Sequence, residues 1–192
     1  MLTRTLHRIT GPAEEIVSPA QVKLFLKEDL SLNDTIIDEL IVTAREWLED
    51  ETGYNFGVST YNWYVKEFKD VVIPRAPFVV DDFVIKYMDS DGTEQTLNTE
   101  LYNLIIKERP ARLVYKKELP SLDEKDYYPV TISFKAGYGV EEAPKRAITA
   151  LKLLITHYFN HRDLSDNRIK YDIPIPKRIH HFVAQLKARR FL

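Results

Sequence analysis

A few clusters of residues have the types and spacing that chemistry would need. His157 and His161 are one helical turn apart, so both rings could reach one metal ion. Tyr158 follows His157 where a zinc protease would have its general-base Glu, and no third ligand accompanies the pair. With Arg162 they read as the polar edge of a helix end, where cationic character suits the dipole. Asp81-Asp82 and Glu49-Asp50-Glu51 set carboxylates side by side, as a glycosidase or a two-metal nuclease would need in a cleft. The first pair is expected in a turn after "PRAPF", the second at a helix end beside Gly53, and both are expected to be solvated. "AGYG" at Ala136–Gly139 lacks the third glycine of a dinucleotide fingerprint and the Lys of a phosphate loop. It is expected to let a strand turn sharply into a helix. "DSDG" at Asp89–Gly92 opens like a calcium loop, but the third ligand position and the spaced Glu are missing, so it reads as a hairpin turn. There is no cysteine, which removes disulfides, thiolate metal sites and Cys nucleophiles, and no Gly-x-Ser-x-Gly elbow. No enzyme and no cofactor or metal is expected.

The composition is that of an ordinary globular chain: 192 residues, 44% hydrophobic and 29% charged, with a formal net charge of -2. That length suits one domain, or one with a sizeable insertion. The N-terminus lacks the apolar core of a secretion signal, and no apolar run approaches the ~18 residues of a membrane span, so no membrane association is expected. Charge is uneven, however. Acids crowd Ala13–Gly57, among them Asp38, Glu39, Glu46 and Glu49, with only Lys23, Lys27 and Arg45 against them. From Arg168 the order reverses: Arg168, Lys170, Lys177, Arg178, Lys187, Arg189 and Arg190 face the single acid Asp172. Such asymmetry fits one end of the chain meeting the other end of a neighbour, or simply two solvated helix faces.

The elements that would carry these residues follow from periodicity. "VSPAQVKLFLKED" starts a helix: Ser18 caps it, Pro19 suits its first position, Gln21 completes a capping box, and it should end near Asp29. "SLNDTIIDELIVTAREWLEDETG" is a longer helix, with Ile36, Ile37, Leu40, Ile41, Ala44, Trp47 and Leu48 at helical spacing and Gly53 as its stop. From Thr60 to Ala136 β-branched and aromatic residues dominate, with turn residues between the runs. Candidate strands are 61–68, 71–73, 83–88, 95–97, 104–106, 112–115 and 130–135. A third helix spans about Ala143–His161, and a fourth starts near Pro176 after a Pro-bounded loop. The fold class is therefore α+β: a small bundle of N- and C-terminal helices with a β-rich insertion between them. As one domain over 1–192, it divides into a helical hairpin (18–53), the insertion (60–137) and C-terminal helices with a docking segment (143–192).

The order of these pieces resembles the head–tail connector, or adaptor, proteins of tailed bacteriophages and prophages of the siphophage type. "VSPAQVKLFLKED" is similar to that family's opening helix, and "NDTIIDELIVTAREWLEDETG" to its second. "IPRAPF" matches the Pro-x-x-Pro lead into the sheet, and "YMDSDGTEQTL" its central hairpin. "VTISFKAGYGVEEAPKRAITALKLLITHYFNHRD" matches the last strand, the glycine turn and the Pro-led helix, with "HRD" departing from the more usual Asn-Arg-Glu. The first dozen residues and Asn98–Tyr128 match nothing in particular. The resemblance implies a structural virion protein at the head–tail junction, assembled in the bacterial cytoplasm. It implies a homo-oligomeric ring under the portal protein, dodecameric as is usual in that family. Genomic DNA would pass through the lumen without sequence-specific binding, and stopper or tail-completion proteins would dock below. On that picture the segment Asp163–Leu192 carries the portal-docking residues (Arg168, Lys170, Lys177, Arg178, Lys187, Arg189, Arg190) and is expected to order only on docking. Asp38, Glu39, Glu46, Glu49 and Arg162 are expected at the subunit–subunit interface. A tail-completion protein, and a DNA-binding module using the basic C-terminal helix, are the alternatives.

Overall fold

The computed structural model of the chain describes residues 5–27, 34–108, 110–116, 118–140, 142–161 and 174–188. The chain forms two compact units, one of Met1–Ala13 with Gly57–Tyr138, the other of Glu14–Phe56 with Gly139–Leu192.

The first unit is β-structure. A five-stranded antiparallel sheet has the order β1-β2-β8-β4-β5, where β1 is Leu6–Thr10, β2 Ser59–Val65, β4 Phe78–Met88, β5 Glu94–Thr96 and β8 Val130–Ala136. A three-stranded sheet runs β3-β7-β6, with β3 Val71–Val72, β6 Tyr102–Ile105 and β7 Arg112–Tyr115. Both sheets turn one face to a shared core. On β2 and β8 every second residue is buried, so Tyr61 lies opposite Phe134 and Trp63 opposite Ile132. Ile85 from β4, Leu113 from β7 and Ile73 complete that core.

Two features of this unit depart from the sequence reading. Residues 6–10 form an edge strand paired with β2, although "LHRIT" is too short to show a period of its own. Asp81-Asp82 is not in a turn before the strand. β4 starts at Phe78 and bulges at these acids: pairing with β8 passes from Val79↔Lys135 to Val84↔Ser133, so three residues of β4 loop out. Asp82 takes positive φ (64°) in the bulge and pairs with Lys135 across the strand. The expected hairpin is present. Asp89 oxygens accept from the amides of Asp91 (3.1 Å) and Thr93 (2.9 Å) and from Gln95, and Gly92 takes φ 76°. Those bonds hold the Asp89 carboxyl below its ordinary value, the Thr93 amide foremost.

The second unit holds all four helices of the described residues: α1 Pro19–Leu26, α2 Asp34–Thr52, α3 Lys145–Asn160 and α4 Lys177–Ala188. The α1 capping box forms as the sequence predicts, with Ser18 and Gln21 exchanging side chain-to-backbone bonds of 3.3 Å. The helix stops at Leu26, short of Asp29, with Lys27 in the left-handed region donating back to Lys23. Gly53 ends α2 with φ 70°, its amide donating to the Glu49 carbonyl at 2.8 Å. Ile37, Ile41, Ala44 and Leu48 of α2, and Ala147, Leu151, Leu154 and Ile155 of α3, are buried where the two helices pack. Ile179, Val183 and Leu186 bury the apolar stripe of α4 against α2 and α3. Residues 177–188 thus belong to the folded unit, which corrects the expectation that the whole C-terminal segment orders only on docking.

Candidate functional site

The glycine turn between sheet and helix is a packing device. Gly137 takes φ 140°, and a Cβ there would lie 2.0 Å from the Gly57 carbonyl oxygen. Its amide donates to the Pro77 carbonyl (2.9 Å), and the Gly139 amide to the Glu142 carboxylate (3.3 Å). The turn's own donors meet protein oxygens, one of them anionic, which leaves a poor cradle for phosphate. The histidine pair lies at the end of α3, ring centroids 4.6 Å apart, and His161 Nδ1 is 2.6 Å from the His157 carbonyl. That ring caps the helix end. Among the described residues no three His, Asp or Glu side chains gather as a metal site.

The carboxylate run Glu49-Asp50-Glu51 divides into three roles. Glu49 is fully buried, so it is neither solvated nor able to present its side chain to a neighbouring subunit. Arg45 Nη1 donates to it at 3.0 Å, and its other oxygen accepts from the Phe56 amide at 2.8 Å. Arg45, whose side chain is only 4% exposed, also donates from Nε to both oxygens of Glu15 (3.0 and 2.9 Å). One guanidinium thereby ties the chain before α1 and the chain after α2 to the middle of α2. Burial outweighs the pull of Arg45 and pushes the Glu15 carboxyl above its ordinary value. The sequence hides this network, because its members look like any surface i,i+4 charges; an Arg beside the buried Ala44 and Leu48 stripe is the only hint. Glu51 pairs at the surface with Lys187 of α4 (2.9 Å), and His180 lies edge-on to Trp47. Acidic and basic ends of the chain therefore meet, at this point, within one molecule.

Asp38, Glu39 and Glu46 lie exposed along α2. Lys177 and Arg178 are exposed at the start of α4. Arg162, Arg168, Lys170, Arg189 and Arg190 lie outside the described residues. In the β-unit, a cleft of about 540 Å³ opens on the sheet face opposite the core, lined by Thr5, His7, Tyr64, Lys86, Glu94 and Tyr128 among others. Lys86 and Glu94 pair at its lining (2.8 Å), and the His7 ring rests edge-on against Tyr64.

No protein-family model and no curated protein sequence matches this chain. Solved structures do match it. The chain shares its fold with chains from gene transfer agent particles. One comes from the neck of an empty particle computed with C6 symmetry: TM-score 0.76, 16% identity, 95% of this chain and 94% of the other covered. One comes from the virion of a native particle, with TM-score 0.74, 16% identity and the same coverage. A third is from the neck of a native particle computed with C12 symmetry, at TM-score 0.67 and 17% identity, again over 95% and 94% of the two chains. Both units of the chain lie within so broad a match.

Proposed function

We propose that this chain is a structural protein of the neck of a phage-like particle: a head–tail adaptor that builds a homo-oligomeric ring under the portal, extends the DNA channel and offers a platform to stopper or tail proteins. The observation that carries this reading is the fold match to neck chains over 95% of the sequence. The motif order of adaptor proteins, read from the sequence, supports it independently. On this reading the protein is not an enzyme, takes no cofactor, and touches DNA only as the genome passes. The basic segment that includes Lys177 and Arg178 docks the portal.

Coexpression with the portal protein of the same gene cluster, followed by cryo-electron microscopy of the purified complex, tests the reading. A ring of this chain on the portal is expected. A portal that purifies bare, with this chain on tail components, would favour a tail-completion role instead. Because α4 is part of the core, charge reversal of Lys177 and Arg178 is the right probe of docking, and truncation is not: deletion would strip Ile179, Val183 and Leu186 from the bundle.

A further inference from the structure

The helical unit carries two long helices of opposite surface charge. The only cation of α2 is Arg45, turned inward onto Glu15 and Glu49 and reaching Glu46 at 3.8 Å, so the outward side of α2 keeps an excess of negative charge: Glu39, Glu46 and Asp50 with Thr43, flanked by Asp38 and by Val42, which is 39% exposed. α3 contains no acid at all, and its outward side carries Lys145, Arg146 and Lys152 with Thr149 and Thr156. No ion pair among the described residues involves these three cations. The two helices pack through the stripes Ile37–Ile41–Ala44–Leu48 and Ala147–Leu151–Leu154–Ile155, so their charged sides face away from that contact, the acidic one from α2 and the basic one from α3.

At the C-terminal end of α2 and the N-terminal end of α3 the charges do not help their own helix. Lys145 and Arg146 occupy the first turn of α3, at the positive end of its dipole, and the last turn of α2 has acids and no base at the negative end. Charges with the wrong sign for their own helix find their complement on the other: the acidic end of α2 suits the cationic start of α3 in both side chains and dipole. Within one chain the two sides point apart. A second copy can satisfy them.

We propose that α2 of one copy docks on α3 of the next, head to tail, through Asp38, Glu39, Glu46 and Asp50 against Lys145, Arg146 and Lys152. Such a heterologous contact generates a ring when its rotation closes. The inference rests on the ring reading above and names the contact that would build the ring.

Two charge-reversed variants test it: Glu39→Lys/Asp50→Lys, in which Asp50 is in the last turn of α2 and Glu39 is exposed along it, and Lys145→Glu/Arg146→Glu, in the first turn of α3; the end-turn changes suit the helix dipoles, so both should preserve folding. Far-UV circular dichroism checks that both fold. Assembly is read by native mass spectrometry, with the portal of the same gene cluster present. Each variant alone, basic or acidic on both sides, should lose the ring. Mixed in equal amounts they should regain it, with the two masses alternating around an even-numbered ring. If each variant assembles alone as well as the wild type, this contact is wrong while the ring reading stands. If both fail and mixing rescues nothing, head-to-tail pairing of these two faces is likewise overturned. If the wild type itself never assembles on the portal, the ring reading fails and takes this contact with it.

Discussion

Replacing Arg45 with methionine should unfold the helical unit more readily than any loss of packing volume explains. Methionine fills much of the same space but leaves Glu49, whose side chain is 1% exposed, without its cation. The desolvation of that carboxylate is balanced in part by a guanidinium at 3.0 Å and by the Phe56 amide at 2.8 Å, and the variant removes the guanidinium. Breaking a buried pair from one side costs about 3–5 kcal/mol, because the orphaned charge stays behind. Arg45→Met/Glu49→Gln removes that charge, and the glutamine oxygen can still accept from Phe56, so the double variant should lose only about 1–2 kcal/mol. Urea unfolding followed by far-UV circular dichroism reads this unit, since every α-helix of the described residues belongs to it. A loss below ~1 kcal/mol for Arg45→Met would mean that the pair behaves like a surface bridge. A double variant no more stable than the single one would show that the buried charge is not the cause.

Gly137→Ala should cost at least ~3 kcal/mol, from strain at φ 140° together with the collision of its Cβ with the Gly57 backbone, measurable by urea unfolding followed through the fluorescence of Trp63, buried in the same unit. Glu15 holds its proton more tightly folded than unfolded. Its contribution is therefore fully present at acid pH and is lost as pH rises through the raised folded-state value; Glu15→Gln should remove that slope, so the stability gap between wild type and variant narrows from acid toward neutral pH. Ser18→Ala should cost about 1 kcal/mol through loss of the α1 capping box. The exposed Lys187–Glu51 bridge should show a coupling of no more than about 1 kcal/mol in a double-mutant cycle and weaken with salt.

What the sequence reveals here is what local chemistry specifies. The capping box at Ser18, the glycine stop of α2 and the turn at Asp89–Gly92 each depend on residues a few positions apart, and each forms as expected. The strand at residues 6–10 depends on a partner more than 50 positions away, and no local pattern announces it. The bulge at Asp81-Asp82 reads as a turn because acids break strands, yet register on either side carries the strand through it. Glu49 illustrates the same point for the candidate site. At helical spacing it looks like its neighbours Asp50 and Glu51, and only the fold shows that it faces inward onto Arg45. Asp38, Glu39 and Glu46, by contrast, lie exposed on α2 as a surface contact requires.

The most direct test of the central claim is native mass spectrometry of the purified chain mixed with the portal protein of its own gene cluster. A portal complex carrying a closed ring of many copies of this 22.5 kDa chain is the expected result. An intact portal that leaves the chain monomeric and unbound would contradict the adaptor account.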